Sequence, residues 1–245
     1  MKFTQLFEKS ADISEIYQLL SKYCQPFKTE TDNFNYKYIP LRMIGSNIGD
    51  EYYDSNTYFK LKTKVERAST FSSNDPTIYK WMNEEIVKHG HSSRIKHAVS
   101  CSTKGYNTLY PIEHEYAFRL FPVGKYTYSY VVNDFNHLFN LNAFKPLFRY
   151  LPVDTSNISL SDMVSQAKEE LKMNYANDEY MLKIKMYDIQ DMEKELSKIN
   201  EIHSSNYKDA FKMENEIWFN CEEYIILNAT TFGNLVEYIN KAANN

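Results

Sequence analysis

Apolar positions along the first tenth of the chain recur every three to four residues, and further on they recur at alternate positions. In residues 3–24, Ile13, Ile16, Tyr17, Leu19 and Leu20 follow helical spacing. With Asp12 or Ser14 as the N-cap, they predict a helix that begins near Ile13. After a loop at 26–35, the stretch YKYIPLRMIGS is a short β-type run that carries one arginine, Arg42, between Leu41 and Met43. Residues 76–89 place Ile78, Trp81, Met82, Ile86 and Val87 on one helical face, started by Asn74 or Asp75 and stopped by Gly90.

HAVSCST then predicts a short strand, and a mixed aromatic stretch runs to Phe121 and a turn at 122–124. KYTYSYVVN alternates as a strand does. From 152 to about 206 the composition shifts to Asp, Glu, Lys and Met. SDMVSQAKEELKMNY predicts a helix capped from a loop at 154–161, MLKIKMYDI alternates like a strand, and DMEKELSKI returns to helical spacing. ENEIWF and EYIIL predict two strands joined by a turn at 220–222, followed by an amphipathic tail. The pattern is that of an α+β chain. No Gly- or Ser-rich tract divides it, so 1–245 is expected to form one domain, with an N-terminal helical segment at 1–37 and a helical insertion at about 145–206.

Composition removes several classes of function. Twenty-eight basic against 32 acidic residues give a net charge of -4, which provides no chain-wide basic footprint for nucleic acid. The three cysteines, Cys24, Cys101 and Cys221, form no C-x-x-C pair and leave an odd count, which argues against a disulfide scaffold or a zinc site. Neither GxGxxG nor GxxxxGK[ST] occurs among only 6 glycines, so phosphate-cradling loops are not expected. The N-terminus carries acids by its second turn and lacks an apolar core of signal-peptide type, and no apolar run approaches the ~18 residues of a membrane span. The expectation is a protein that acts in a reducing cytosol. His89, His91 and His97 lie close in sequence but have no carboxylate or thiol at ligand spacing, and are expected to be solvated or capping residues.

Three features with chemical potential occur in a fixed order: Arg42 on an early strand, Ser100 and Ser102 on a middle strand, and Glu214 and Glu216 opening a late strand. Glu-x-Glu also occurs at 113/115 and 193/195, so the bare pattern discriminates little. The 193/195 pair has helical spacing and is expected on a solvated face, and the 113/115 pair falls in a segment that reads as helix or loop. Only the 214/216 pair sits between a loop and a strand, with Phe211 three residues upstream and IWF directly after. Residues two apart on a strand share a face, so Glu214 and Glu216 are expected side by side, as are Ser100 and Ser102. Val99 and Cys101 then turn to the packed side.

Taken together, YIPLRMIGS, HAVSCS and FKMENE resemble the Arg, Ser-Thr-Ser and Glu-x-Glu signature of the cholera-toxin-like mono-ADP-ribosyltransferases, with Cys101 in place of the usual threonine and Leu41 in place of the aromatic before the arginine. The resemblance spans roughly 38–232 and leaves 1–37 and about 145–206 unmatched. It implies two packed, mainly antiparallel sheets around a cleft for NAD, the co-substrate. It also implies transfer of ADP-ribose to a target protein, on arginine because the first glutamate is intact. Glu216 would stabilise the positive charge that builds on the ribose as the nicotinamide bond breaks, and Glu214 would orient the incoming guanidinium. Ser100 would fix the catalytic carboxylate, Ser102 would support the cofactor side, and Arg42 would hold the NAD pyrophosphate or ribose through its donor fork. Phe211 and its loop would face the target. The implied setting is a host cytosol, reached by an injected effector or a phage-type modifier. Two other expectations fit the same residues: an NAD glycohydrolase using water as acceptor, and a non-enzymatic interaction module that binds a partner through the helical 152–206 lobe.

Overall fold

Asp12 accepts a hydrogen bond from the Ser14 N–H at 3.3 Å and starts α1 (Ile13–Tyr23), whose Ile16 and Leu20, four apart, are buried. Pro26 near the start of α2 (Gln25–Glu30) has no N–H to leave unpaired, and Phe27 in its first turn is fully buried. Asp75 caps α3 (Pro76–Lys88) through the Thr77 N–H at 2.8 Å, and Gly90, with φ of +87°, takes the left-handed turn just beyond it. The first and third of these helices follow their sequence signals closely, whereas α2 occupies part of the stretch expected as a loop at 26–35. The computed structural model describes residues 7–10, 12–43, 57–65, 75–103, 117–132, 135–151 and 158–243.

Eight strands are described: β1 (Phe7–Ser10), β2 (Leu41–Met43), β3 (Thr57–Lys62), β4 (Ala98–Ser102), β5 (Ala117–Pro122), β6 (Thr127–Val132), β7 (Asn215–Asn220) and β8 (Glu223–Leu227). They join in one sheet of order β1-β3-β8-β5-β2-β4-β7-β6, with every pair antiparallel. The expectation of two packed sheets is corrected to one hydrogen-bonded sheet, whose narrowest join is the single pair Leu41↔Ser102 between β2 and β4. One ring, Phe27, lies 6.0 Å from Phe121 of β5 and 6.2 Å from Phe219 of β7, so it packs against strands on either side of this join. Of the eight strands, β1, β3 and β5 had no separate prediction.

Strands β6 and β7 each feed two cores. Along β7, Ile217 and Phe219 join a cluster with Phe27, Phe121, Ile225 and Leu235, covered by α1, α2 and α8 (Ala229–Ala243 of the chain's C-terminal part). Trp218, on the other face, joins a second cluster with Ile78, Met82, Phe135, Met163 and Ile189. That cluster is built from α3, α4 (Phe135–Leu138), α5 (Leu147–Tyr150), α6 (Leu160–Asn174) and α7 (Glu179–Ser197). The 145–206 segment is therefore part of the packing around the sheet. MLKIKMYDI, expected as a strand, lies wholly within α7. Asp178 caps that helix by accepting from the Met181 N–H at 2.9 Å, and Ile189 and Met192 anchor it, so the cap and the three-residue spacing of the buried positions override the short alternation.

Cys24 is fully buried where α1 meets α2, and burial pushes its thiol up to about 12. A thiol held protonated in the folded chain contributes stability that is complete below its ordinary pKa and is lost as pH rises towards 12. The urea midpoint is therefore expected to fall between pH 9 and 11 more steeply in the native sequence than in Cys24→Ala. Parallel curves would show that Cys24 is not part of the alkaline loss.

Candidate functional site

Strands β2, β4 and β7, which carry the three motifs, are consecutive neighbours in the sheet. Ser102 lies directly opposite Glu216, and Ser100 directly opposite Trp218. Facing residues of an antiparallel pair project to the same side, so both serines share the Glu216 face, while Val99 and Cys101 turn into the first core as expected. Across the β4–β7 pair Glu216 faces Ser102, and Ser100, expected to fix the carboxylate, stands two residues along on the same face. Arg42 reaches this group through the main chain, its Nη1 donating to the Ser100 carbonyl at 2.6 Å. Alternation along β2 starts its side chain on the face opposite Ser102, because its neighbour Leu41 pairs with that serine.

Glu216 is held more firmly than its sequence context suggests. Its Oε1 lies 2.8 Å from Arg94 Nη1, and its Oε2 accepts from the Phe135 N–H at 2.9 Å. The Glu216 side chain keeps 12% of its exposure and that of Arg94 only 4%. The guanidinium carbon stands 4.1 Å from the centre of the Phe135 ring and 4.9 Å from that of Trp218. Its Nε donates to the Tyr79 hydroxyl at 3.3 Å, and the Arg94 N–H to Asn83 Oδ1 at 2.6 Å. Trp218 is fixed in turn by donating Nε1–H to the Ser92 carbonyl at 2.8 Å. Burial disfavours the Arg94 cation, but the charges of Glu216 and Tyr79 and their hydrogen bonds outweigh it and hold its pKa above the ordinary guanidinium value. Sequence reasoning missed Arg94. It stands in an aperiodic turn, and nothing local in HSSRIKH points to a partner so far along the chain.

Glu214 lies just before β7, half-buried, on the face of Glu216 by alternation. The loop ahead of it is pinned: Asn215 Nδ2 donates to the Ala210 carbonyl, and the Asn215 N–H to Thr103 Oγ1 at 3.0 Å. The placement of Phe211 at the target surface is corrected. Its side chain is buried, with its ring 5.9 Å from Tyr38 and 5.2 Å from Tyr207, because this loop contributes Tyr207, Ala210 and Phe211 to the first core. Lys208, Lys212 and Met213 are its exposed residues.

The rival carboxylates separate. Glu113 and Glu115 lie outside the described residues. Glu193, on α7, pairs with Lys168 at 2.7 Å. Glu195, expected on a solvated face, is buried instead, bonded to the Asn140 N–H and Lys198, both at 2.8 Å. Glu223 opens β8 and pairs with Lys60 at 2.6 Å. Among the described residues, no group of three or more His, Cys, Asp or Glu side chains is placed to hold a metal ion, and no helix is long and apolar enough to cross a membrane. His89 Nδ1 bonds the Glu85 carbonyl of its own helix at 2.9 Å, and His91 Nδ1 bonds Ser204 Oγ at 2.8 Å.

An open groove lined by Glu30, His91, Tyr126, Thr127, Tyr128 and Asn220 lies at the other end of β6 and β7, about 13 Å along β7 from Glu216. Much of its polar lining is bonded internally: Tyr126 to Glu30, Thr127 to Ser92, and Asn220 to the carbonyls of Ser93 and Lys96. The groove is therefore separate from the carboxylate site. No protein-family model, no curated protein and no solved structure matches the chain.

Proposed function

We propose that the chain is an NAD-dependent mono-ADP-ribosyltransferase that transfers ADP-ribose to arginine of a target protein and releases nicotinamide. The observation that carries this reading is the adjacency of the three motif strands: Arg42 on the Ser100 carbonyl, and Ser102 opposite Glu216. An order that is only suggestive in the sequence corresponds to one short stretch of sheet.

The chemistry assigned to the site follows from its charges. As the nicotinamide bond breaks, positive charge grows on the ribose, and a carboxylate alongside is worth most in that transition state. A carboxylate has about four acceptor positions. Arg94 and the Phe135 N–H take two of those on Glu216, which leaves acceptors for a ribose hydroxyl. Glu214 on the same face would orient the acceptor guanidinium, whose pKa of about 12.5 or above makes it a poor nucleophile without a carboxylate. Ser100 and Ser102 line this face, and Arg42, whose side chain starts on the other face and reaches the motif strands through the Ser100 carbonyl, is the group assigned to the NAD phosphates. The proposed setting is a cytosol, with NAD and a target protein as partners, and the proposed fold is an ADP-ribosyltransferase-like variant with one continuous antiparallel sheet. The same residues with water as acceptor would hydrolyse NAD.

The test is labelled NAD incubated with the purified chain and with eukaryotic and bacterial lysates. The expected result is free nicotinamide and a labelled protein whose modification maps to arginine by mass spectrometry. Nicotinamide release without a labelled protein would assign hydrolysis, and no release with any lysate would refute the reading. One observation favours a second reading, an interaction module: Tyr180, Ile184 and Tyr187, at 74%, 40% and 57% exposure, form one face of α7 at i, i+4 and i+7.

A further inference from the structure

We infer that Arg94 is the positioning residue of this site: it fixes the direction in which the Glu216 carboxylate presents its remaining acceptor positions. The inference rests on the transferase reading, and it assigns a role to a residue that no motif marks. A glutamate side chain has three rotatable bonds, and at a site 12% exposed nothing in the strand itself selects one orientation. Two contacts from different parts of the chain do so. The guanidinium at 2.8 Å holds Oε1, and the Phe135 N–H at 2.9 Å holds Oε2, so the carboxylate plane is set by two points.

Arg94 can act this way because it is itself held at several points. Its flat group packs against the rings of Phe135 and Trp218, its Nε is tied to the Tyr79 hydroxyl, and its backbone N–H to Asn83. A lysine could supply the charge but neither the stack nor the second edge that reaches Tyr79. Phe135 has two parts, since its N–H binds the carboxylate while its ring packs on the guanidinium. The same residue belongs to the second core with Phe139 and Trp218, which links the helical segment mechanically to the carboxylate. A partner that supports a catalytic group from behind is typically worth about 10- to 100-fold in activity.

The experiment compares native protein, Arg94→Lys, Arg94→Met and Tyr79→Phe in nicotinamide release from NAD, with rates normalised to the folded fraction from near-UV circular dichroism at the assay temperature. Tyr79→Phe removes only the hydroxyl behind the Nε and keeps the ring, so it remains informative if the arginine variants fold poorly. The expected result is a fall in kcat of about 10- to 100-fold in Arg94→Met, less in Arg94→Lys and a few-fold in Tyr79→Phe, with KM for NAD within about threefold of native throughout. A purely structural Arg94 would leave kcat per folded molecule unchanged, and that result overturns the inference while leaving the transferase reading intact. A loss carried by KM also overturns it, since it would make Arg94 a binding residue. Native protein that releases no nicotinamide overturns both.

Discussion

Glu216→Gln is expected to lower nicotinamide release from NAD by about 10²- to 10³-fold, the scale of removing one preorganised electrostatic group from an active site. Glutamine keeps the size of the side chain and an oxygen for the Phe135 N–H, so the substitution tests charge rather than shape. It also leaves Arg94, 4% exposed, without its counter-ion. An amide can still accept from the guanidinium, so the stability cost should stay near that of an impaired buried hydrogen bond, about 1–3 kcal/mol. Glu216→Leu offers no acceptor and is expected to cost about 3–5 kcal/mol, as uncompensated buried charges do. The assay therefore belongs at a temperature where Glu216→Gln remains folded by circular dichroism. A folded Glu216→Gln variant with native turnover would leave the Arg94–Glu216 pair as a packing element and place the chemistry elsewhere.

The pairing of Glu216 with Arg94 marks where the sequence was legible and where it was not. Local signals predicted what local physics determines. Asp12 and Asp75 cap the helices they precede, Gly90 ends α3, and the alternation in ENEIWF sends Ile217 and Phe219 to one core and Trp218 to the other. The order of the three motifs became a spatial cluster because β2, β4 and β7 are neighbours, which pairing alone decides.

Most of what failed depended on partners remote in the chain. Arg94 has its meaning from Glu216, Trp218 and Phe135, none of them near it in sequence. Phe211 was misplaced because an aromatic beside a charged loop looks like a surface contact until Tyr38 and Tyr207 supply the pocket that buries it. MLKIKMYDI satisfies two periods at once over nine residues, and only the full length of α7 shows which one applies. Glu195 looked solvated because it accepts from the Asn140 N–H, remote in the chain, a contact that helical spacing does not report.

The largest stability effect is expected at Phe27. No side-chain exposure remains there, and its ring meets Phe121, Tyr126, Tyr207 and Phe219 edge-on at 5.7–6.2 Å. Phe121 lies on β5, Tyr126 just before β6, Phe219 on β7 and Tyr207 in the loop before Glu214, so one side chain ties together segments from across the sheet. Removing the ring forfeits its transfer energy and leaves a cavity that rigid aromatic neighbours fill poorly, at about 3–5 kcal/mol for Phe→Ala. Phe27→Ala should thus show a much lower urea midpoint with the slope of the transition unchanged, because both halves of the sheet still unfold together. If the ring also sets the distance between β5 and β7, Phe27→Leu should recover only part of the loss, since a smaller side chain cannot touch all four rings. Full recovery in Phe27→Leu would reduce Phe27 to generic apolar volume and remove its part in shaping the strands that carry the site.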